Sequence, residues 1–376
     1  MKNTSTTRAR DLGIPFEGTP GPDNAITDVA GVKVGHSTLV TGQGRLQVGH
    51  GPVRTGVTVV LPRGKTYDPV FAAWYSLNGN GEMTGTIWIE ESGLLEGPVA
   101  ITNTHSVGVV RDAIVQWQIN NTLYNPLGPG VFWALPVVAE TFDGTLNDIN
   151  GFHVKPAHVF EALDTAKAAT DADFEVSEGN VGGGTGMICH GFKGGIGSAS
   201  RVVTVDGVAY TIGVLVQANH GGRDQLTIAG VPMGFEFADI ATPRETGLPA
   251  ETGSIIVVVA TDAPLLPHQL KRLARRVPMG LAKTGSVGAH TSGDIFIAFS
   301  TANSGVASRM GTRTLQMLSS DEMTPLFSVV IQATEEAVVN AMVAAQTLVG
   351  VDGRTAFALP HARVQAILRR HHRLYG

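Results

Sequence analysis

Apolar positions in this chain follow two rhythms, and the rhythms separate strands from helices. Ile255–Val259 is an unbroken apolar run, and "GDIFIAFST" from Gly293 holds a second one. Short continuous runs rich in branched residues predict strands buried on both faces. "GVKVGHSTLV" and "GVTVVLP" add strand composition with glycine punctuation in the first third. "RVVTVDGVAYTIGVLVQAN" predicts a hairpin: Val202–Val205, a turn at Asp206-Gly207, then Ala209–Val216. Helical character shows over 157–169 and through "DAPLLPHQLKRLARRV", where Leu266, Leu270, Leu273 and Val277 recur at helical spacing. Pro325–Val349 predicts a long helix closing at Gly350, and Val364, Ile367 and Leu368 mark a terminal amphipathic one. Between them, Ser177–Arg201 reads as a long glycine-rich loop region. Hairpins beside long helices, without strict strand–helix alternation, predict an α+β fold. Buried strands with helices on their outer faces suggest a four-layer αββα sandwich, a single domain over residues 1–376.

Composition narrows the function. Hydrophobic residues make up 43% of the chain, enough for a large core. Charged residues are only 16%, against about 25% in an ordinary domain, so much surface is buried, in an oligomer if not within the chain. The net charge of −5 and the lack of a basic block give nucleic-acid binding no support. Cys189 is the sole cysteine, so an intrachain disulfide is excluded and no cysteine-based metal centre is expected. The twelve histidines show no ligand spacing, and His371 and His372 read as solvated surface. No metal or organic cofactor is expected. The first residues carry no signal-like apolar stretch, and the Ile255–Ala260 run is far too short to span a bilayer, so a cytoplasmic protein is expected. G-x-S-x-G, H-E-x-x-H and the P-loop are all absent. "GGGTG" at 182–186 and "GGIGS" at 194–198 match no phosphate fingerprint and read as tight turns lining a site.

Candidate chemistry centres on Gly253-Ser254. A serine at the head of a buried strand is most often only a strand start. If the bond before it were cut, Ser254 would carry a free α-amine of pKa about 7.7–8 that can deprotonate its own hydroxyl. Glycine before the cut tolerates strained geometry. Ser292 and Asp294 stand two apart at the head of the other buried strand, so they share a face; if the strands are neighbours, both can face Ser254. Asn219, just after a predicted strand, offers an amide to an oxyanion, or is a turn asparagine. Glu140 ends an apolar run, either binding a cation or simply closing a strand.

Long stretches in the same order resemble the DmpA family, the L-aminopeptidase/D-esterases and β-aminopeptidases. They include "NAITDVAGVKVGHSTL" (24–39), "GEMTGTIWIEESGLLEGPVAITNTHSVG" (81–108), "PVVAETFDGTLNDING" (136–151), "GGGTGMICHGFKGGIGSASR" (182–201), "GVLVQANHG" (213–221) and "GSIIVVVATDAPLLPHQLKRLARR" (253–276). The resemblance implies a precursor that cuts itself between Gly253 and Ser254 into α 1–253 and β 254–376. It implies the αββα sandwich, similar to N-terminal-nucleophile hydrolases with different connectivity. It also implies a serine aminopeptidase acting on short peptides, amides or esters of L-, D- or β-amino acids, assembled from α/β pairs, often as tetramers. By the same resemblance Ser254 is the nucleophile, Ser292 and Asp294 support it, Asn219 is the oxyanion donor and Glu140 binds the substrate's amino group. Some relatives carry Glu where Asp294 stands. Phe142 sits where an aromatic with a polar edge is expected. Two alternatives remain: an acyltransferase of the ornithine-acetyltransferase type, whose threonine-centred motif is missing here, and a non-catalytic amine-binding member of the fold.

Overall fold

The structure, a computed structural model, describes residues 7–124, 127, 131–169, 176–243 and 253–375. Among these, ten strands build two main sheets: β1 Lys33–Thr41, β2 Val53–Leu61, β3 Val70–Gly79, β4 Leu94–Leu95, β5 Val99–Asn103, β6 Val137–Thr141, β7 Gly195–Val205, β8 Val208–Asn219, β9 Ser254–Thr261 and β10 Gly293–Ser300. One sheet has the order β1-β2-β5-β6, the other β4-β3-β10-β9-β8-β7. Most pairs are antiparallel; β5–β6 and β9–β10 are parallel. The helices are α1 Thr86–Ser92, α2 Val107–Asn120, α3 Pro156–Ala168, α4 Pro267–Ala274, α5 Val277–Lys283, α6 Thr324–Ala344 and α7 His361–Arg370.

Side-chain alternation along β9 explains the layers. Ile256 and Val258 point into a core between the sheets, where they meet Ile101 and Ala139 of the facing sheet. Ile255, Val257 and Val259 point the other way, against Leu270 and Leu273 of α4 and Val330, Ala337 and Ala341 of α6. Burying each such side chain contributes about 1.5–3 kcal/mol. On the far side, Val57, Val59 and Val138 pack under Ile114 and Trp117 of α2 and Val159 and Leu163 of α3. The order is therefore helices, sheet, sheet, helices, the αββα sandwich expected from the sequence. By length and composition α6 could cross a membrane, but it is the helix covering the six-stranded sheet and is mostly buried.

Several boundaries differ from the sequence reading. The region 177–201 is not loop to its end, because β7 begins at Gly195. Gly197 serves helix packing: a Cβ there would lie 2.0 Å from the Ala337 carbonyl oxygen and 2.6 Å from Ala341 N of α6. Local sequence reads such glycines as turns, whereas the fold uses one to bring a helix close to a strand. The hairpin turns at Asp206-Gly207 with φ of 47° and 75°, a type I′ signature, but both strands run further than expected. Asn219 is consequently the last residue of β8. The long helix stops at Ala344; Ala345 is extended, and Leu348–Val349 pairs with Thr355–Ala356 ahead of Gly350. The stripe from Leu266 to Val277 is split between α4 and α5, with Leu266 outside as the residue before Pro267. His371 and His372 are exposed, as expected.

Candidate active site

Three adjacent strand ends of the larger sheet converge at one point. Ser254 opens β9, and its direct cross-strand partners are Asn219, closing β8, and Gly293, opening β10. The facing sheet contributes Glu140 near the end of β6, with Thr104 just past β5. Between them lies a cavity of about 370 Å³ whose wall includes Ser254, Gly253, Asn219, Glu140, Thr104 and Phe142. A cavity beside Leu61 and Arg63 holds only about 40 Å³. Another, about 320 Å³, lies over the Lys283–Glu335 ion pair and is lined by no serine, threonine or cysteine.

The Gly293 N–H points at two groups at once, 3.2 Å from the Gly253 carbonyl oxygen and 3.3 Å from Ser254 Oγ. Gly253 is required for a reason other than conformational freedom. A Cβ there would sit 2.4 Å from the Asn219 carbonyl oxygen and 2.8 Å from His220 Cα, both backbone atoms. The sequence reading placed the need for glycine in strained geometry; the structure places it in close approach to β8.

Two backbone groups fix the Asn219 amide. Ile188 N–H donates to Oδ1 at 2.8 Å, and Nδ2 donates to the Phe142 carbonyl at 2.9 Å. The nitrogen is thereby assigned, and its second hydrogen is left for a ligand. Phe142 thus acts through its backbone, while its ring is half exposed on the cavity wall.

Ser292 and Asp294 meet as their spacing predicts: Ser292 Oγ donates to Asp294 Oδ1 at 2.6 Å. β9 and β10 are neighbours, which places the pair beside Ser254. Both are buried and neither lines the cavity, whose wall includes Thr291 and Ser254; across the strands Ser254 pairs with Gly293 and Asp294 with Ile255. Asn78 of β3, opposite Asp294 across a register shift, donates to its other oxygen at 3.1 Å. Burial pushes the Asp294 carboxyl above its ordinary pKa, while hydrogen bonds from Ser292, Asn78 and Ile255 N–H pull it back.

Glu140 is buried, with both oxygens held: Oε2 accepts from Thr104 Oγ1 at 2.5 Å and Oε1 from Glu82 N–H at 3.0 Å. Burial raises its pKa; those two hydrogen bonds oppose the rise and the Glu82 charge adds to it. Such a carboxylate is stabilised by an arriving cation. All five expected residues thus gather at one end of the sandwich. Sequence reasoning missed Thr104, Asn78, Ile188 N–H and Gly293 N–H. Each lies 30 or more residues from the group it orients or faces, and two of them act through backbone that carries no residue signal.

Comparison with known proteins identifies the family. The model of the family described as peptidase family S58 matches residues 24–356. The β-peptidyl aminopeptidase BapA of Sphingosinicella microcystinivorans is 55% identical, over 98% of this chain and 93% of that protein. Among solved structures, the L-aminopeptidase D-Ala-esterase/amidase of Ochrobactrum anthropi superposes with a TM-score of 0.90 at 49% identity, over 98% of this chain and 99% of that one. It is described as a prototype of the serine aminopeptidases and a variant of the Ntn hydrolase fold. A β-aminopeptidase of Burkholderia sp. gives 0.86 at 47% identity, over 97% and 99%. Family match, fold and site converge: the chain belongs to peptidase family S58 and is a serine aminopeptidase.

Proposed function

We propose that the chain cuts itself between Gly253 and Ser254, and that the new N-terminal Ser254 then removes N-terminal β-aminoacyl residues from short peptides, amides or esters. The observation carrying this reading is the shared Gly293 N–H donor on the Gly253 carbonyl and the Ser254 hydroxyl, which puts nucleophile and scissile carbonyl side by side. In the first step Ser254 Oγ attacks the Gly253 carbonyl, and the peptide bond becomes an ester. Water hydrolyses the ester, leaving a Gly253 carboxylate on residues 1–253 and a free α-amine on residues 254–376.

In the mature enzyme that amine takes the Ser254 hydroxyl proton as Oγ attacks the substrate carbonyl. Asn219 Nδ2 and Gly293 N–H donate to the oxyanion. Ser292 and Asp294, braced by Asn78, hold the strand start and supply negative charge beside the amine. The proton passes to the leaving amine, and water releases the acyl group from Ser254. Glu140 receives the substrate ammonium across the cavity, which limits attack to the first residue. No metal or cofactor enters any step. The β-aminoacyl preference follows the 55% identical relative; the Ochrobactrum relative makes α-aminoacyl amides and esters the second class to test. Association of the α/β pairs into an oligomer fits the exposed apolar side chains Ile87, Trp133 and Leu135.

Intact-mass analysis of the purified protein tests the first step. Polypeptides of 253 and 123 residues (376 − 253 = 123) are expected, and Ser254→Ala stays whole. A wild-type chain that remains uncut overturns the mechanism. A panel of β-, L- and D-aminoacyl p-nitroanilides then decides the substrate class.

A further inference from the structure

Behind the cavity wall lies a group of reactive side chains that this reaction does not use. Ile188 and Asn219 line the cavity, and the next residue on each segment is Cys189 and His220. Cys189 Sγ lies 3.9 Å from His220 Nδ1. The His190 ring meets the His220 ring edge-on, with centroids 5.3 Å apart at 66°. One ligand atom from each of the three residues lies within 4.8 Å of the other two, and all three residues are buried. The backbone fixes this arrangement. His190 N–H donates to the His220 carbonyl at 2.7 Å, and His190 Nδ1 donates to the Gly222 carbonyl at 3.0 Å. Nδ1 of His190 is thus the protonated nitrogen, and Nε2 carries the lone pair.

We propose that Cys189, His190 and His220 form a binding site for a soft monovalent metal ion of the copper(I) class, and that its occupation inhibits the enzyme through Asn219. One thiolate and two imidazoles are the ligands that such ions select. With metal–sulfur and metal–nitrogen bonds of about 2.3 and 2.0 Å, trigonal binding puts sulfur and nitrogen about 3.7 Å apart, close to the 3.9 Å found here. No gap in the cluster exceeds 4.8 Å, so binding closes it by roughly 1 Å at most.

Charge selects the valence. Lys193 is fully buried, and its Nζ donates to the carbonyls of Gly184, Met187 and Gly194 at 3.1, 2.9 and 2.8 Å, so every ammonium proton has an acceptor. On binding, the Cys189 S–H bond breaks, a sulfur–metal bond forms and the proton leaves to solvent, with no change of oxidation state. A monovalent ion leaves the local charge as it was, whereas a divalent ion adds a net positive charge to a fully buried site, which is costly. Occupation also reaches the chemistry. His220 follows Asn219, and Cys189 follows Ile188, whose N–H orients the Asn219 amide. Drawing both together moves the oxyanion donor, and a shift of about 1 Å costs on the order of 10²-fold in rate.

The test titrates the purified mature aminopeptidase with silver(I), a redox-inert probe, and anaerobically with copper(I). Cys189 is the chain's single cysteine, so any thiolate-to-metal absorption band belongs to it. One equivalent is expected to bind with such a band, while peptidase activity falls at least tenfold in step with loading. His190→Phe and Cys189→Ala, checked for folding by circular dichroism, should bind at least tenfold more weakly. Wild-type protein that shows no band overturns the proposal, and so does zinc(II) competing for the site with equal affinity; both readings need no variant.

Discussion

Replacing Gly253 by alanine probes the close approach of β8 directly. The new methyl would lie 2.4 Å from the Asn219 carbonyl oxygen, where ordinary contact begins near 3.4 Å. About 1 Å must therefore open between residue 253 and β8. Neither side yields easily, because Asn219 and Ser254 are cross-strand partners and Gly293 N–H holds the Gly253 carbonyl. Overpacking of this kind costs about 1–3 kcal/mol of stability. Moving a reacting carbonyl by about 1 Å slows an intramolecular attack on the order of 10²-fold. The assay is the fraction of full-length chain, followed by intact mass from the moment of purification, with thermal unfolding measured in parallel. Gly108→Ala is the control, since a Cβ at that helical position meets nothing within 4 Å and should raise helix stability by about 0.5–1 kcal/mol. Gly253→Ala cutting itself within about threefold of the wild-type rate refutes both the steric argument and the placement of the scissile carbonyl.

Three further outcomes follow from the site. Asn219→Ala should lower kcat/KM by about 10²–10³, and Asn219→Asp should recover none of it, because a carboxylate oxygen would replace Nδ2 at 2.9 Å from the Phe142 carbonyl; an Asp variant keeping a tenth of wild-type activity contradicts the assigned orientation. Glu140 must be ionised to hold the substrate ammonium, and burial raises its pKa, so its contribution disappears as pH falls through a value above that of an ordinary glutamate. The Ser254 α-amine must be neutral, so log kcat/KM should climb with slope 2 at acid pH and slope 1 above the Glu140 pKa; Glu140→Gln should show slope 1 throughout and a lower plateau. Thr104→Val removes the hydroxyl that holds Glu140 Oε2, and steady-state kinetics should show a raised KM with kcat nearly unchanged.

Local order was legible from residue patterns, and geometry between distant segments was not. The apolar runs at Ile255 and Ile295 identified two buried strands because a strand covered on both faces needs apolar side chains at every position. The two-residue spacing of Ser292 and Asp294 foretold a shared face, and Asp206-Gly207 foretold a tight hairpin. Local sequence gives only weak reasons to single out Ser254, Asn219 and Glu140; the family-length resemblance carries the weight. What joined them is the sandwich itself. Glu140 comes from one sheet and Ser254 from the other, 114 positions apart (254 − 140 = 114), and no periodicity spans such a distance. The same holds for Thr104 over Glu140, for Asn78 on Asp294, and for Cys189 and His190 meeting His220. Glycine was misread for a related reason. Its sequence signal is a missing side chain, and only the packed structure decides whether that space serves a turn, a helix against Gly197 or a strand against Gly253. The sequence alone thus determined which segments are strands and helices, because those depend on neighbours along the chain. The tertiary structure decided where Ser254 lies and what surrounds it, because those depend on which strand ends the hydrophobic layers bring together.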